Sequence, residues 1–167
     1  ASYHDEHNAI LHEEVARRTM AEFHEVPAWN PYFCGGIVGL SNAPDASLAP
    51  DFLFRLIFGT SLGRRLTVLF FVMLGMEGAF RYARKHDASV AGSALAGIAF
   101  ATSGHFVDLL RWGWIFMFNY NVIPWIALSF EVGLRSRAWR YLGSFFLGWL
   151  ILGGGTYVIP YTGIMLA

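Results

Sequence analysis

Charged residues are scarce in this chain. Asp, Glu, Lys and Arg make up 14% of its 167 residues, whereas hydrophobic residues make up 55% and aromatic residues 17%. A soluble domain ordinarily has about 25% charged residues. A soluble chain of this length would need a polar coat that this composition cannot supply. The composition therefore predicts a membrane protein surrounded by membrane lipids.

Cysteine and lysine are almost missing as well. Cys34 is the one cysteine, which excludes an intrachain disulfide and a thiolate metal cluster. Eleven arginines and one lysine balance the acidic residues to a formal net charge of zero, and they form no regularly spaced basic stripe. We therefore expect no nucleic-acid partner.

The chain changes character near residue 60. Residues 1–60 hold eight of the twelve acidic residues and four of the six prolines. Between about residues 5 and 23, hydrophobic residues and a threonine recur every four positions, which predicts an amphipathic helix that lies on a membrane surface or packs on a protein core. A loop rich in Gly, Pro, Asn and Ser follows to about Pro50. The recurring residues are Leu11, Val15, Thr19 and Phe23.

Residues 61–167 are predicted to form the membrane region of an all-α, polytopic transmembrane helix bundle. Four apolar segments cover about 66–83, 88–106, 121–134 and 139–153. Spanning a bilayer takes about 20 residues, so the third and fourth segments are short. Small residues such as Gly97 within these segments let helices approach closely in lipid.

The basic residues predict which side of the membrane each linker faces. They cluster in the linkers between segments one and two and between segments three and four, whereas the loop at about 107–120 holds only Arg111. Because positive charge marks the cytoplasmic side, residues 1–60, the 107–120 loop and the stretch after Gly153 are expected to face outward. Arg64 and Arg65 run against this rule. The cytoplasmic clusters are Arg81, Arg84 and Lys85, and Arg135, Arg137 and Arg140.

Three outward-facing features are candidates for chemistry. His4, Asp5, Glu6 and His7 suit either a solvated helix start or a general base or metal site. His105, Asp108 and Arg111 would share one helical face, as a helix-end ion pair or as a site where the Arg111 fork binds an anionic headgroup or phosphate. The loop containing Trp29, Asn30 and Gly35-Gly36 is either a rigid structural loop or part of a site. Glu77 and Glu131 lie near the inner ends of their segments, which argues against a transport pathway.

The order of these features resembles the YfhO-like bacterial membrane proteins, in the GT-C superfamily of polyprenyl-phosphate-sugar-dependent glycosyltransferases. The resemblance covers nearly the whole chain. Its most specific part is the stretch from Trp29-Asn30-Pro31 to Gly35-Gly36. The chain departs from the family where Asn42 is followed by Ala-Pro, since many relatives have Pro-Gln there. The residues that carry the resemblance are Asp5-Glu6, the helix to Phe23, Pro27-Ala28-Trp29-Asn30-Pro31, Gly35-Gly36, Asn42-Ala43-Pro44, Pro50, the stretch 101–105 and the glycines at 153–155.

The resemblance implies a location in the bacterial inner membrane and a first span just before Ala1. It implies that Asp5 is the catalytic base in transfer of a sugar from a polyprenyl-phosphate carrier to a cell-envelope acceptor. The substrate-binding residues are expected to be Glu6, Arg111, His105, Trp29 and Asn30. A divalent metal is left open as a cofactor, with His105 or Glu6 as candidate ligands. The alternative is a non-catalytic membrane subunit that scaffolds a larger complex with other membrane proteins.

Overall fold

The computed structural model describes residues 3–32, 34–39, 46–154 and 162–164, and for residues 3–5 it describes the backbone alone. The structure is 76% helical with almost no sheet. A 3₁₀ helix, Ile115–Val122, joins α4 to α5. Two short strands, β1 at Trp29–Asn30 and β2 at Ile37–Val38, pair antiparallel within the loop that follows α1. The helices are α1 at Tyr3–Glu22, α2 at Phe52–Lys85, α3 at Val90–Ala101, α4 at Gly104–Trp112, α5 at Ile123–Gly133 and α6 at Arg137–Leu152.

Within the described residues, three helical stretches are long and apolar enough to cross a membrane: Phe52–Lys85, Val90–Trp112 and Ile115–Gly133. They overlap the first three predicted segments, about 66–83, 88–106 and 121–134, almost completely. The fourth, 139–153, lies in α6, which has 16 residues and is shorter than the roughly 20 that crossing takes, so that span stays a prediction. Large apolar side chains on α2 and α3 are exposed, as lipid-facing side chains would be, among them Leu69, Met73, Leu95 and Ile98.

Helix α2 is bent at Gly59. Its backbone angles there, φ 77° and ψ 165°, are not helical and belong to a region that is essentially restricted to glycine. The chain folds back at this point so tightly that a Cβ on Gly63 would lie 2.6 Å from the Cα of Arg55. The first part of α2, which begins at Phe52, is therefore a separate arm, and the part after Gly59 is the candidate span.

Small residues set the packing of α2 against its neighbours. A Cβ on Gly97 of α3 would lie 2.7 Å from the carbonyl oxygen of Met76, which confirms the close approach that the sequence predicted. On another side of α2, Gly78 lies against Trp125 of α5, whose Nε1 donates to the Leu74 carbonyl at 2.8 Å. The core then closes with aromatic rings from α2, the 3₁₀ helix and α6, including Phe71, Phe118, Phe146 and Trp149.

The predicted helix at 5–23 is present as α1, but its buried face is not the one that carries the apolar repeat. Leu11 is 41% exposed and Phe23 is 67% exposed. The buried face consists of Ala9, His12, Glu13 and Ala16. The physical reason is that the small residues allow close contact with α2 and the charged residue has partners there.

Candidate functional site

A buried ionic network joins α1 to both parts of α2. The Glu13 carboxylate lies 3.1 Å from Arg55 Nε and 2.9 Å from Arg64 Nη1. Arg55 Nη1 also donates to Asp51 Oδ2 at 3.0 Å, and Asp51 Oδ1 accepts from Trp149 Nε1 of α6 at 2.9 Å. The network therefore ties α1, the α2 arm, the candidate span and α6 together at one end of the molecule.

The charges in this network balance. Glu13 and Asp51 oppose Arg55 and Arg64, and each of the four residues is 5% exposed or less. The contacts of Glu13 are close enough to be ion pairs, but their N–H directions do not meet hydrogen-bond geometry. Glu13 is thus held mainly by charge attraction, which is strong where water is excluded.

The bend at Gly59 makes this network possible. Arg55 lies before the bend and Arg64 after it, on parts of α2 that point in different directions. Folding the arm back brings both guanidinium groups to the single carboxylate of Glu13. Arg64 Nη2 also donates to the Gly113 carbonyl at 3.2 Å, so the network reaches the end of α4.

A second, more exposed cluster surrounds Glu14. Its carboxylate accepts from Arg17 at 2.7 Å, from Arg18 at 2.7 Å and from the Thr60 hydroxyl at 2.6 Å. These bonds, that from Arg17 above all, lower the pKa of Glu14 from 4.5 to about 2. The same contacts raise the pKa values of Arg17 and Arg18. Through the Thr60 hydroxyl, this cluster connects α1 to the bend of α2 on the solvent-exposed side.

A cleft of about 730 Å³ lies between α1, α2 and the end of α4, and we call it the α1–α2 cleft. One part of its lining is charged and the other part is apolar, so it suits a ligand with an ionic group beside a hydrocarbon portion. The charged and polar lining consists of Glu6, Glu14, Arg18, Thr60, Ser61, Arg64 and Arg65, and Gly113 and the apolar residues Ile10, Val68, Leu110 and Ile115 complete it.

Arg65 is the cation of this cleft that is available to a ligand. Arg64 is held by Glu13 and Gly113, and Arg18 is paired with Glu14. Arg65 is exposed and has no hydrogen bond or ion pair to any residue that the structure describes. A guanidinium in this state is suited to a phosphate or carboxylate.

Two of the predicted site residues lie in the first turns of α1. Glu6 lines the α1–α2 cleft and packs on Gly113, where an added Cβ would lie 2.7 Å from the Glu6 Cβ. Asp5 precedes it in the helix, one turn before the buried Ala9, and its side chain lies outside the described residues. The start of α1 and the end of α4 therefore meet at Glu6 and Gly113.

The predicted residues of α4 are placed less centrally. His105, Asp108 and Arg111 lie in one helix, as expected, and all three are exposed. The His105 ring stacks on Tyr120 with 5.3 Å between ring centroids. Arg111 is in the last turn of α4, next to Leu110 of the cleft, but it is not part of the cleft lining.

Trp29 and Asn30 form the start of the small hairpin. The Asn30 amide is buried, lies 3.0 Å from His12 Nδ1 of α1 and accepts from the Tyr32 backbone N–H at 3.0 Å. Gly36, with φ 115°, lies directly against the Trp29 ring, so a Cβ would overlap it. Asn30 thus fixes the loop to α1, while the Trp29 ring is 55% exposed. Asn42-Ala43-Pro44 and Gly155 lie outside the described residues.

The described side chains offer a metal ion no ready set of ligands. Among the described side chains, no three His, Cys, Asp or Glu residues converge. Glu13, Glu14 and Asp51 are each paired with arginine.

The sequence contained signals for the residues it did not predict. Arg55 is a lone charge in an apolar stretch, and such a charge generally has a partner. Arg64 and Arg65 violated the charge rule for sidedness, which is explained in part because Glu13 neutralises Arg64. No local pattern linked these arginines to Glu13, which lies more than forty residues earlier.

Comparisons of the chain with protein-family models, with curated proteins and with solved structures found no match.

Proposed function

We propose that the chain belongs to a membrane glycosyltransferase that uses a polyprenyl-phosphate sugar, and that the α1–α2 cleft binds the phosphate of this carrier. The observation that supports it most is the free guanidinium of Arg65 in a cleft whose lining combines charged and apolar residues. A polyprenyl phosphate has the matching chemistry, since an anionic group is attached directly to a long hydrocarbon chain.

The proposed reaction is an inverting transfer. Asp5 takes the proton of an acceptor hydroxyl while that oxygen attacks the anomeric carbon of the sugar. The bond between the anomeric carbon and the phosphate oxygen breaks, and the polyprenyl phosphate leaves with the electron pair. General-base help of this kind contributes about 10²–10⁴-fold to the rate.

Arg65 replaces Arg111 as the preferred partner of the leaving phosphate. Arg65 lines the same cleft as Glu6, the neighbour of Asp5, whereas Arg111 lies outside the lining. Fixed donors aimed at developing negative charge are typically worth about 10²–10³-fold in rate. Arg64 also lines the cleft, but Glu13 neutralises its charge, so Arg65 is the cation left to meet the phosphate.

The base is tested by Asp5→Asn in the full-length protein purified in detergent. Transfer of sugar from a polyprenyl-phosphate donor should be lost while the melting temperature is kept. Asp87→Asn is the matched control, because Asp87 is an exposed carboxylate in the turn between α2 and α3 and should leave transfer unchanged. Full activity of Asp5→Asn would refute the mechanism.

The carrier site is tested by thermal stabilisation with polyprenyl phosphate. The wild type should be stabilised, and Arg65→Gln should need about tenfold more ligand, since a hydrogen bond to a charged group is worth roughly the 1.4 kcal/mol that corresponds to a factor of ten. Arg135→Gln removes an equal charge far along the chain and should behave as wild type. No stabilisation of the wild type, together with tight co-purification of other membrane proteins, would favour a scaffolding subunit instead.

A further inference from the structure

A groove lies between α5 and α6. It has a volume of about 440 Å³ and is lined mainly by apolar side chains, with Arg140 among them. It lies away from the α1–α2 cleft and shares no residue with it. We propose that this α5–α6 groove binds an anionic glycerophospholipid from the leaflet that faces the basic linkers. This proposal does not depend on the transferase proposal.

The linker beside the groove carries three arginines, of which Arg140 lines the groove and can meet an anion from outside the chain. Arg135, Arg137 and Arg140 are exposed, and none has an acidic partner among the residues that the structure describes. In the other basic linker, two of the three cations have partners within the chain, because Arg81 pairs with Glu77 at 2.6 Å and Arg84 donates to the Ala88 carbonyl at 2.6 Å. Basic pockets between membrane helices are typical binding sites for anionic headgroups.

Arg140 is placed to hold a headgroup at the mouth of the groove. Its aliphatic part crosses Gly133, where an added Cβ would lie 3.0 Å from Arg140 Cγ. The missing side chain at Gly133 lets the arginine lie flat over the end of α5, and its guanidinium has no partner among the described residues. A phosphate would meet a planar fork that can donate two bonds.

The floor of the groove supplies a second polar contact, one helical turn deeper. Ser129 is 2% exposed, and its hydroxyl has no hydrogen-bond partner among the described residues. It precedes Gly133 by one turn, about 6 Å along the axis, which is comparable to the separation of phosphate and ester carbonyls in a glycerophospholipid. An unpaired hydroxyl is costly in an apolar environment, and an ester carbonyl would provide the acceptor it lacks.

The remaining lining suits an acyl chain. Ile126, Phe130 and Leu147 continue the groove beyond Ser129, and Phe130 and Leu147 are exposed. Close approach of the helices at Gly143, where an added Cβ would lie 2.9 Å from the Ser129 Cβ, keeps the floor shallow and continuous. Since α5 ends a candidate span, lipid chains are the molecules that would lie against this face.

The test is native mass spectrometry of the full-length protein with added phosphatidylglycerol or phosphatidylcholine. The wild type should retain phosphatidylglycerol in preference, and Arg140→Gln should lower its affinity about tenfold, as expected for loss of a charge-assisted bond. Arg137→Gln removes the same charge from the same turn but lies outside the groove, so it should bind as wild type. Equal losses in the two variants would show general surface attraction and overturn the proposal.

Further variants test whether the lipid occupies the groove itself or binds only to the charge at its mouth. Ser144→Trp fills the groove from an exposed position and should abolish retention of both lipids, whereas Leu95→Trp on exposed α3 should not. An ether-linked phosphatidylglycerol, which lacks ester carbonyls, should bind more weakly to wild type and equally to Ser129→Ala. Retention of lipid by Ser144→Trp would contradict the lipid site. So would a dimer of the wild type that Ser144→Trp dissociates, because a second copy of the chain would then occupy the groove.

Discussion

At the scale of single residues, Glu13 explains how a charged helix packs on an apolar one. Its carboxylate faces two arginines from opposite sides of the Gly59 bend in a site that excludes water. Buried ion pairs of this kind add little net stability compared with apolar packing, but removing one partner leaves uncompensated charge. The role of Glu13 is therefore to fix where α1 lies, and with it the wall of the α1–α2 cleft.

Glu13→Ala should destabilise the protein by about 3–5 kcal/mol, because Arg55 and Arg64 would keep their charges without the carboxylate. The measurement is unfolding in mixed detergent followed by circular dichroism. Glu22→Ala, at the exposed end of the same helix, should change stability by less than about 0.5 kcal/mol. A small effect of Glu13→Ala would mean that α1 is not held by this network.

Glu14 should make the stability of the protein depend on pH in the acidic range. Its pKa falls from 4.5 to about 2 on folding, so its contribution is complete above about pH 4.5 and is lost as the pH falls toward 2. Glu14→Gln should therefore lower the melting temperature at pH 6 but have little effect near pH 2. The check is a series of melts from pH 6 to pH 2 for wild type, Glu14→Gln and the exposed control Glu22→Gln, and a parallel offset at every pH would contradict the assignment.

At the scale of elements, the hydropathy of the sequence predicted where the helices lie better than it predicted which face of a helix is buried. The three candidate spans coincide with apolar segments because lipid imposes one requirement, about 20 apolar residues, which is local in sequence. The buried face of α1 was not predictable in this way. It depends on Arg55 and Arg64, which are distant in sequence, and it leaves the apolar Leu11 and Phe23 outside.

The bend of α2 was also not predictable from the sequence, because it depends on contacts with residues that are distant in the chain. A glycine inside an apolar run has several explanations, and only the structure shows that Gly59 adopts φ 77°. The α1–α2 cleft could not be predicted from the sequence either, since it exists only where the arm folds back at Gly59. Glu6 was predicted from its position beside Asp5, whereas Arg65 required the three-dimensional arrangement of α1, α2 and α4.

Gly59→Ala should straighten or strain α2. The alanine would adopt a backbone region that costs about 1–3 kcal/mol for a residue with a Cβ, although there is open space around it. Gly148→Ala is the matched control, because Gly148 also faces open space but lies within the regular α6 helix and should be neutral or stabilising by up to about 1 kcal/mol. Equal melting temperatures for the two variants would argue against the bend.

At the scale of the whole molecule, the polar groups separate into two ends. The α1–α2 cleft collects Glu6, Arg18 and Arg65, and the opposite ends of α2 and α5 carry Arg81 and Glu131. Glu131 lies 3.2 Å from His86, so it is engaged at that end and is not isolated midway along a span. The transferase and lipid proposals together place these two ends on opposite sides of a membrane, although the lipid proposal by itself concerns only the end with the basic linkers.

Cys34 provides the measurement of that sidedness. It is exposed and is the one cysteine of the chain, so it reports the side on which the α1 end lies. A membrane-impermeant maleimide added to spheroplasts should label Cys34, because the α1 end is expected to face outward. In a Cys34→Ser background, Arg135→Cys should be labelled only after the membrane is permeabilised, because basic linkers stay inside. The control Asp87→Cys lies in the other basic linker and should behave like Arg135→Cys. Labelling of Cys34 and of the introduced cysteines from the same side would mean that the cleft and the basic linkers face the same side of the membrane. That result would contradict binding of the polyprenyl-phosphate carrier in the cleft at the outer leaflet.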